Sequence, residues 1–132
     1  EGWWRTGDVA WCDDDGFYYL VDRVNDMIKS GGENVAPAEV ERVLATHPNV
    51  LDVAATGVLD ELWGQVGRAY VVVRPGGAVT LEDLREHCAR SIARYKAPRS
   101  LVVVDELPRN STGKVSRIAL PKHFATAVIQ DA

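Results

Sequence analysis

Asp22-Arg23-Val24-Asn25-Asp26-Met27-Ile28-Lys29-Ser30-Gly31-Gly32-Glu33-Asn34-Val35-Ala36-Pro37-Ala38-Glu39-Val40-Glu41 changes character repeatedly along its length. It opens on a polar run, Asp22 to Asp26, too short and too charged to enter a core, and passes into a brief apolar strand at Met27-Ile28. The polar run suits a linker between two bodies. Ser30-Gly31-Gly32-Glu33-Asn34 reads as a loop by composition. Pro37 then suits the first turn of a helix, where its missing N–H is no loss, and Val40, Val43 and Leu44 recur at helical spacing. That helix should stop near His47-Pro48.

Upstream of the linker, Asp8 to Cys12 and Phe17 to Val21 are β-prone and are separated by Asp13-Asp14-Asp15-Gly16. The Asp-Gly ending supplies the positive φ that a tight hairpin needs. Downstream, Val50 to Val58 and Arg68 to Val73 read as strands, the second ending in the turn Pro75-Gly76-Gly77. Thr80 can cap a helix that carries Leu81, Leu84, Cys88 and Ile92 on one face, with Glu82 and Asp83 set against the dipole. A strand over Leu101 to Val104, a loop over Pro108 to Gly113 and a terminal helix over Ile118 to Ile129 complete the reading. The order predicts an α+β domain: a small mixed β-sheet flanked by helices, preceded by an N-terminal β-hairpin and hinge. The expected division is 1–24 for the hairpin leading to the hinge and 25–132 for a separate body.

The 132 residues make one ordinary domain, and 46% hydrophobic with 26% charged content is that of a globular protein. A net charge of -4 and a pI near 5.3 argue against nucleic acid, whose phosphates are bound by an excess of Lys and Arg. Apolar runs such as Leu101-Val102-Val103-Val104 fall far short of the ~20 residues of a transmembrane helix. Cys12 and Cys88 lack CxxC spacing, which suggests neither zinc nor a disulfide scaffold and fits a reducing, cytoplasmic setting. The start at Glu1-Gly2-Trp3-Trp4, with no Met and no signal peptide, is read as a cut from a longer chain.

Three segments carry residue choices that folding alone explains poorly. In Trp4-Arg5-Thr6-Gly7-Asp8, a carboxylate fixed just after a tight turn can accept both hydrogen bonds of a vicinal diol, although a lone Thr-Gly-Asp also fits an exposed turn. In the long stretch quoted first, Arg23 offers a planar charged fork and Gly31-Gly32 admits close approach of a ligand to main chain, although such a pair also serves as a plain connection. In Leu107-Pro108-Arg109-Asn110-Ser111-Thr112-Gly113-Lys114-Val115, Pro108 and Val115 stand where a phosphate loop needs Gly and Ser or Thr. Lys114 can still bring a cation to a phosphate or carboxylate, or remain a solvated loop lysine.

Together and in this order, the three segments resemble the C-terminal portion of the adenylate-forming superfamily, which includes acyl-CoA synthetases, adenylation domains of peptide synthetases and firefly luciferase. The resemblance runs from about Gly2 to about Leu120, and Ser30-Gly31-Gly32-Glu33-Asn34-Val35 looks most like the fatty and aromatic acyl-CoA synthetases.

The resemblance implies roles. Asp8 would bind the ribose hydroxyls of ATP, Arg23 would contact the nucleotide, and Lys114 would be the catalytic lysine of adenylation. Asn25 would be the hinge, where the superfamily more often has Asp or Lys. Lys29, Ser30, Gly31, Gly32 and Glu33 would line the channel for the pantetheine arm of coenzyme A, and Lys96, in Tyr95-Lys96-Ala97-Pro98, would lie near its nucleotide end. It further implies ATP, Mg2+ held mainly by a larger N-terminal domain, coenzyme A as co-substrate and a carboxylic acid as substrate, with no metal ligand in this chain. Alone, the chain should fold and turn over nothing. Two other readings remain open: an adenylation domain that loads a carrier-protein thiol, and a non-catalytic α+β interaction module.

Overall fold

A β-hairpin begins the structure, a computed structural model that describes residues 2–132; Glu1 of the expected 1–24 segment lies outside the described residues. Strands β1 (Asp8–Cys12) and β2 (Tyr18–Arg23) pair antiparallel from Asp8↔Arg23 to Cys12↔Tyr18. The Asp13 carboxylate organises their turn, accepting the N–H groups of Asp15 at 3.1 Å and Phe17 at 2.9 Å. The Phe17 bond is the main reason its carboxyl sits below the usual range. Trp11 and Tyr19, opposite each other in the ladder, stack with centroids 4.5 Å apart.

The polar run differs from its sequence reading. Asp22 and Arg23 belong to β2, and the Asp22 side chain is only 5% exposed. A carboxylate survives there because every oxygen it turns inward meets a donor. The Ser30–Asn34 segment also differs, being a two-residue hairpin rather than a loop. Strands β3 (Ile28–Ser30) and β4 (Glu33–Val35) pair across Gly31 and Gly32, whose φ angles of 57° and 87° are those of a primed turn.

Helix α1 (Pro37–Leu44) starts at its proline as expected and buries Pro37, Val40 and Leu44. Its N-cap, Ala36, has no capping side chain. Strands β5 (Val50–Asp60) and β6 (Gly64–Val73) form a long hairpin, turned by Asp60 accepting from the Leu62 and Trp63 N–H groups. Helix α2 (Leu81–Ala89) is capped by Thr80 as expected, and Asp83 reaches back to complete a capping box. It leads to β7 (Ser100–Val103), which runs parallel to β6.

Strand β6 is the hub of the six-stranded sheet. Strand β5 takes one edge, while β3 at Gly64 and β7 at Arg68 to Val71 share the other. Side chains alternate by period two. Ala55, Ala69, Val71 and Leu101 face α1 and α2, burying Val40, Leu44, Leu84 and Cys88. Ala54, Tyr70 and Val102 face the other way, onto Leu107 and Leu120.

The C-terminal segment corrects the expected helix over Ile118–Ile129. A single tight turn at Arg117–Ala119 is followed by a short α3 (Leu120–His123), and the chain then extends into β8 (Gln130–Asp131) beside β7. Tertiary partners override the helical pattern: Leu120 and Phe124 pack on Tyr70, and the Gln130 side chain accepts the N–H of Leu81 at the start of α2. No helix among the described residues is long and apolar enough to cross a membrane.

Candidate functional site

An open cleft of about 720 Å³ lies where the hairpin, α1 and the 109–117 segment meet. Two expected residues line it, and a third stands beside one of them. Arg23 and Lys114 both line the cleft, and the Asp8 carboxylate stands 3.6 Å from the Arg23 guanidinium, its cross-strand partner.

Lys114 is presented by a built loop. Asn110 Oδ1 accepts the N–H of Thr112 at 3.0 Å, the Thr112 hydroxyl at 2.7 Å and the N–H of Lys114 at 2.9 Å. Arg109 pairs with Val115 across the loop, donates to the Gly113 carbonyl at 3.0 Å and ties the loop to β5 through Asp52. The backbone under Lys114 is thus fixed while its side chain is exposed, and no carboxylate among the described residues holds it in an ion pair. An ammonium so placed can meet an anion that enters the cleft.

The floor of the cleft is a charge cluster that sequence reading missed. Arg117 donates to Glu41 in a two-pronged pair at 2.9 and 2.8 Å, to Asp22 at 2.9 Å and to Asp26 at 3.0 Å. The carboxylates have further work. Asp22 accepts the N–H of Ala38 at 2.8 Å and so supplies the cap that Ala36 cannot, and Glu41 accepts the N–H of Ala55 at 2.9 Å. Glu41 above all raises the Arg117 pKa further still, against the opposing effect of burial. Asp22, Asp26 and Glu41 all bond to the Arg117 guanidinium, a permanent cation at their centre that sets them against holding Mg2+ as well.

Asn25 is exposed within the turn that closes from the Asp26 N–H to the Arg23 carbonyl at 3.1 Å. No non-glycine residue among those described has positive φ, so the angles here are ordinary.

The remaining expected residues lie elsewhere. Lys29, Ser30, Gly31, Gly32 and Glu33 form the β3–β4 hairpin, whose Gly31 N–H donates to the Trp63 carbonyl at 2.9 Å. Trp63 was not singled out in the sequence. Its ring covers Gly31 so closely that a Cβ there would sit 2.7 Å from Cε3, and the Arg99 guanidinium lies 5.1 Å from the ring centroid on its face. Lys96 is held by Glu39 at 2.8 and 3.0 Å, away from the Lys114 cleft.

Two groups therefore stand at opposite ends of the β5–β6 hairpin. The Lys114 loop is tied at Asp52, while Gly31 is tied beside the turn that follows Asp60. From Asp52 to Asp60 the strand covers roughly 26 Å at about 3.3 Å per residue. A single small reacting centre cannot touch both at once.

Residues 39–114 match the family described as AMP-binding enzyme C-terminal domain. The 2-succinylbenzoate–CoA ligase of Geobacillus sp. (strain WCH70) is 49% identical over 116 residues, covering 88% of this chain and 24% of that protein. The long-chain-fatty-acid–CoA ligase FadD13 of Mycobacterium tuberculosis is 42% identical over 128 residues, covering 97% and 25%. Among solved structures, o-succinylbenzoate CoA synthetase (MenE) of Bacillus subtilis, in complex with the acyl-adenylate intermediate OSB-AMP, superposes with a TM-score of 0.84 at 44% identity. That likeness covers 90% of this chain and 24% of the synthetase. The chain spans about a quarter of the length of the curated relatives it matches.

Proposed function

Because the chain belongs to the AMP-binding enzyme C-terminal domain family, we propose that it is the mobile C-terminal part of an ATP-dependent acyl-CoA synthetase acting on a fatty or aromatic acid. Residues 1–24 would end the larger domain, and 25–132 would swing about Asn25. The observation that carries the reading is the separation of two residue groups on one rigid sheet, one suited to each half-reaction.

In the first half-reaction a carboxylate oxygen of the acid attacks the α-phosphorus of ATP, and pyrophosphate leaves. The Lys114 ammonium offsets the negative charge that gathers between these groups. Asp8 accepts the ribose hydroxyls and Arg23 orients the nucleotide. Arg23 shares one cleft with Lys114, and the Asp8 carboxylate stands 3.6 Å from the Arg23 guanidinium, which supports these roles. Mg2+ accompanying ATP would be held by the larger domain.

In the second, the thiol sulfur of coenzyme A attacks the acyl carbonyl carbon, AMP leaves with the bonding pair, and the thiol proton passes to solvent. The glycine turn at Gly31-Gly32 suits a thin pantetheine arm between Lys29, Ser30 and Glu33. The Arg99 guanidinium beside Trp63 is a cation suited to a phosphate of the same ligand. Relatives that are named CoA ligases favour coenzyme A over a carrier-protein thiol. The free thiols Cys12 and Cys88 agree with a cytoplasmic setting.

The test is made on the full-length protein that contains this chain. Carboxylate-dependent exchange of pyrophosphate into ATP, followed by thioester formation with free coenzyme A, is the expected result. Exchange with transfer only to a carrier protein would move the assignment to the carrier-loading class. No exchange with any fatty or aromatic acid would leave the non-catalytic module.

A further inference from the structure

We propose that Asp22 is a positioning residue that latches the domain in its adenylating orientation by holding Arg117 across the pivot, an inference that rests on the reading of Asn25 as hinge. Asp22 precedes Asn25 in the chain, whereas Asp26, Glu41 and Arg117 all follow it. One guanidinium therefore bonds to carboxylates on both sides of the pivot, at 2.9 Å to Asp22 and 3.0 Å to Asp26.

Rotation at Asn25 carries Asp26, Glu41 and Arg117 together and leaves their mutual bonds intact. It must break Asp22 from Arg117 and from the Ala38 N–H at 2.8 Å, because both partners move with the body while Asp22 stays with the hairpin. The same motion withdraws Lys114. Arg117 follows Lys114 by three residues, at the start of the tight turn after the loop, and Lys114 shares a cleft with Arg23, which adjoins Asp22. A closed latch and an engaged lysine are thus one geometric state.

The latch is built to open. Three carboxylates surround one guanidinium, so the closed cluster carries two negative charges in excess. When Asp22 leaves, Arg117 keeps its two-pronged bond to Glu41 and its bond to Asp26, and the departing carboxylate regains water. Neither side is stranded as an unpaired buried charge, the condition that would otherwise make such a pair costly to break.

In the full-length protein, Asp22→Asn keeps an acceptor for the Ala38 N–H and removes the negative charge that faces Arg117. It should slow pyrophosphate exchange about tenfold, in line with loss of one charge-assisted bond, and leave thioester formation from supplied acyl-adenylate at or above the wild-type rate. Asp26→Asn loosens the same guanidinium from the moving side and should leave the ratio of the two rates unchanged. Should Asp22→Asn fail to fold, Asp22→Ser carries the same expectation. An unchanged ratio in a folded Asp22 variant, or the same shift in Asp26→Asn, would overturn the latch while the functional reading stands. A wild-type protein without pyrophosphate exchange would overturn that reading and the latch with it.

Discussion

At the scale of single residues, the proposed chemistry rests on an exposed lysine whose backbone is fixed and whose ammonium is paired by no carboxylate among the described residues. Lys114→Ala removes the cation and nothing from the loop, because Asn110 accepts the Lys114 backbone N–H and not its side chain. Pyrophosphate exchange by the full-length protein should fall at least ~100-fold, with thioester formation from supplied acyl-adenylate largely intact. Lys114, Asp8 and Arg23 could be picked out in the sequence as candidates because each stands beside a glycine or at a strand end. Arg117 could not. Its partners Glu41, Asp26 and Asp22 lie 76, 91 and 95 residues away, and no local pattern marks an arginine whose meaning is set by such distant carboxylates.

At the scale of elements, local chemistry was legible wherever it decided the structure. Thr80 caps α2 and Pro37 opens α1 because the groups each needs are within a turn of it. The Gly31-Gly32 turn was misjudged as a loop, since the strands it joins have three residues each and gain their sheet partner from Gly64 far along the chain. The terminal helix failed for a related reason: apolar spacing over Ile118–Ile129 served packing on Tyr70 and pairing with β7 instead. Gly31 also supplies a test at this scale. With φ at 57° and Trp63 Cε3 at 2.7 Å from a built Cβ, Gly31→Ala should cost about 1–2 kcal/mol in a denaturant melt. It should also raise KM for coenzyme A in the full-length protein without slowing pyrophosphate exchange, since the Lys114 loop is anchored at the other end of β5.

At the scale of the whole molecule, one sheet carries a residue group at each end of the β5–β6 hairpin, and in the proposed mechanism the body swings about the short polar turn at Asn25. The α+β class, the leading hairpin and the helix-covered sheet followed from element order, whereas the way the hairpin is held to the body did not, because it depends on Asp22 and Arg117. A distance measured across the pivot tests the swing directly. The thiol of Cys12 on the hairpin is exposed, while Cys88 is buried with its pKa pushed up to about 11, so it resists labelling at neutral pH. With upstream cysteines removed and Glu86→Cys added on the exposed face of α2, spin labels at 12 and 86 report the orientation of hairpin and body in the full-length protein. The account predicts one separation with ATP and a non-reactive acid analogue, and a second, distinct separation with a stable acyl-adenylate analogue and coenzyme A. A single separation, the same under both conditions, would contradict it.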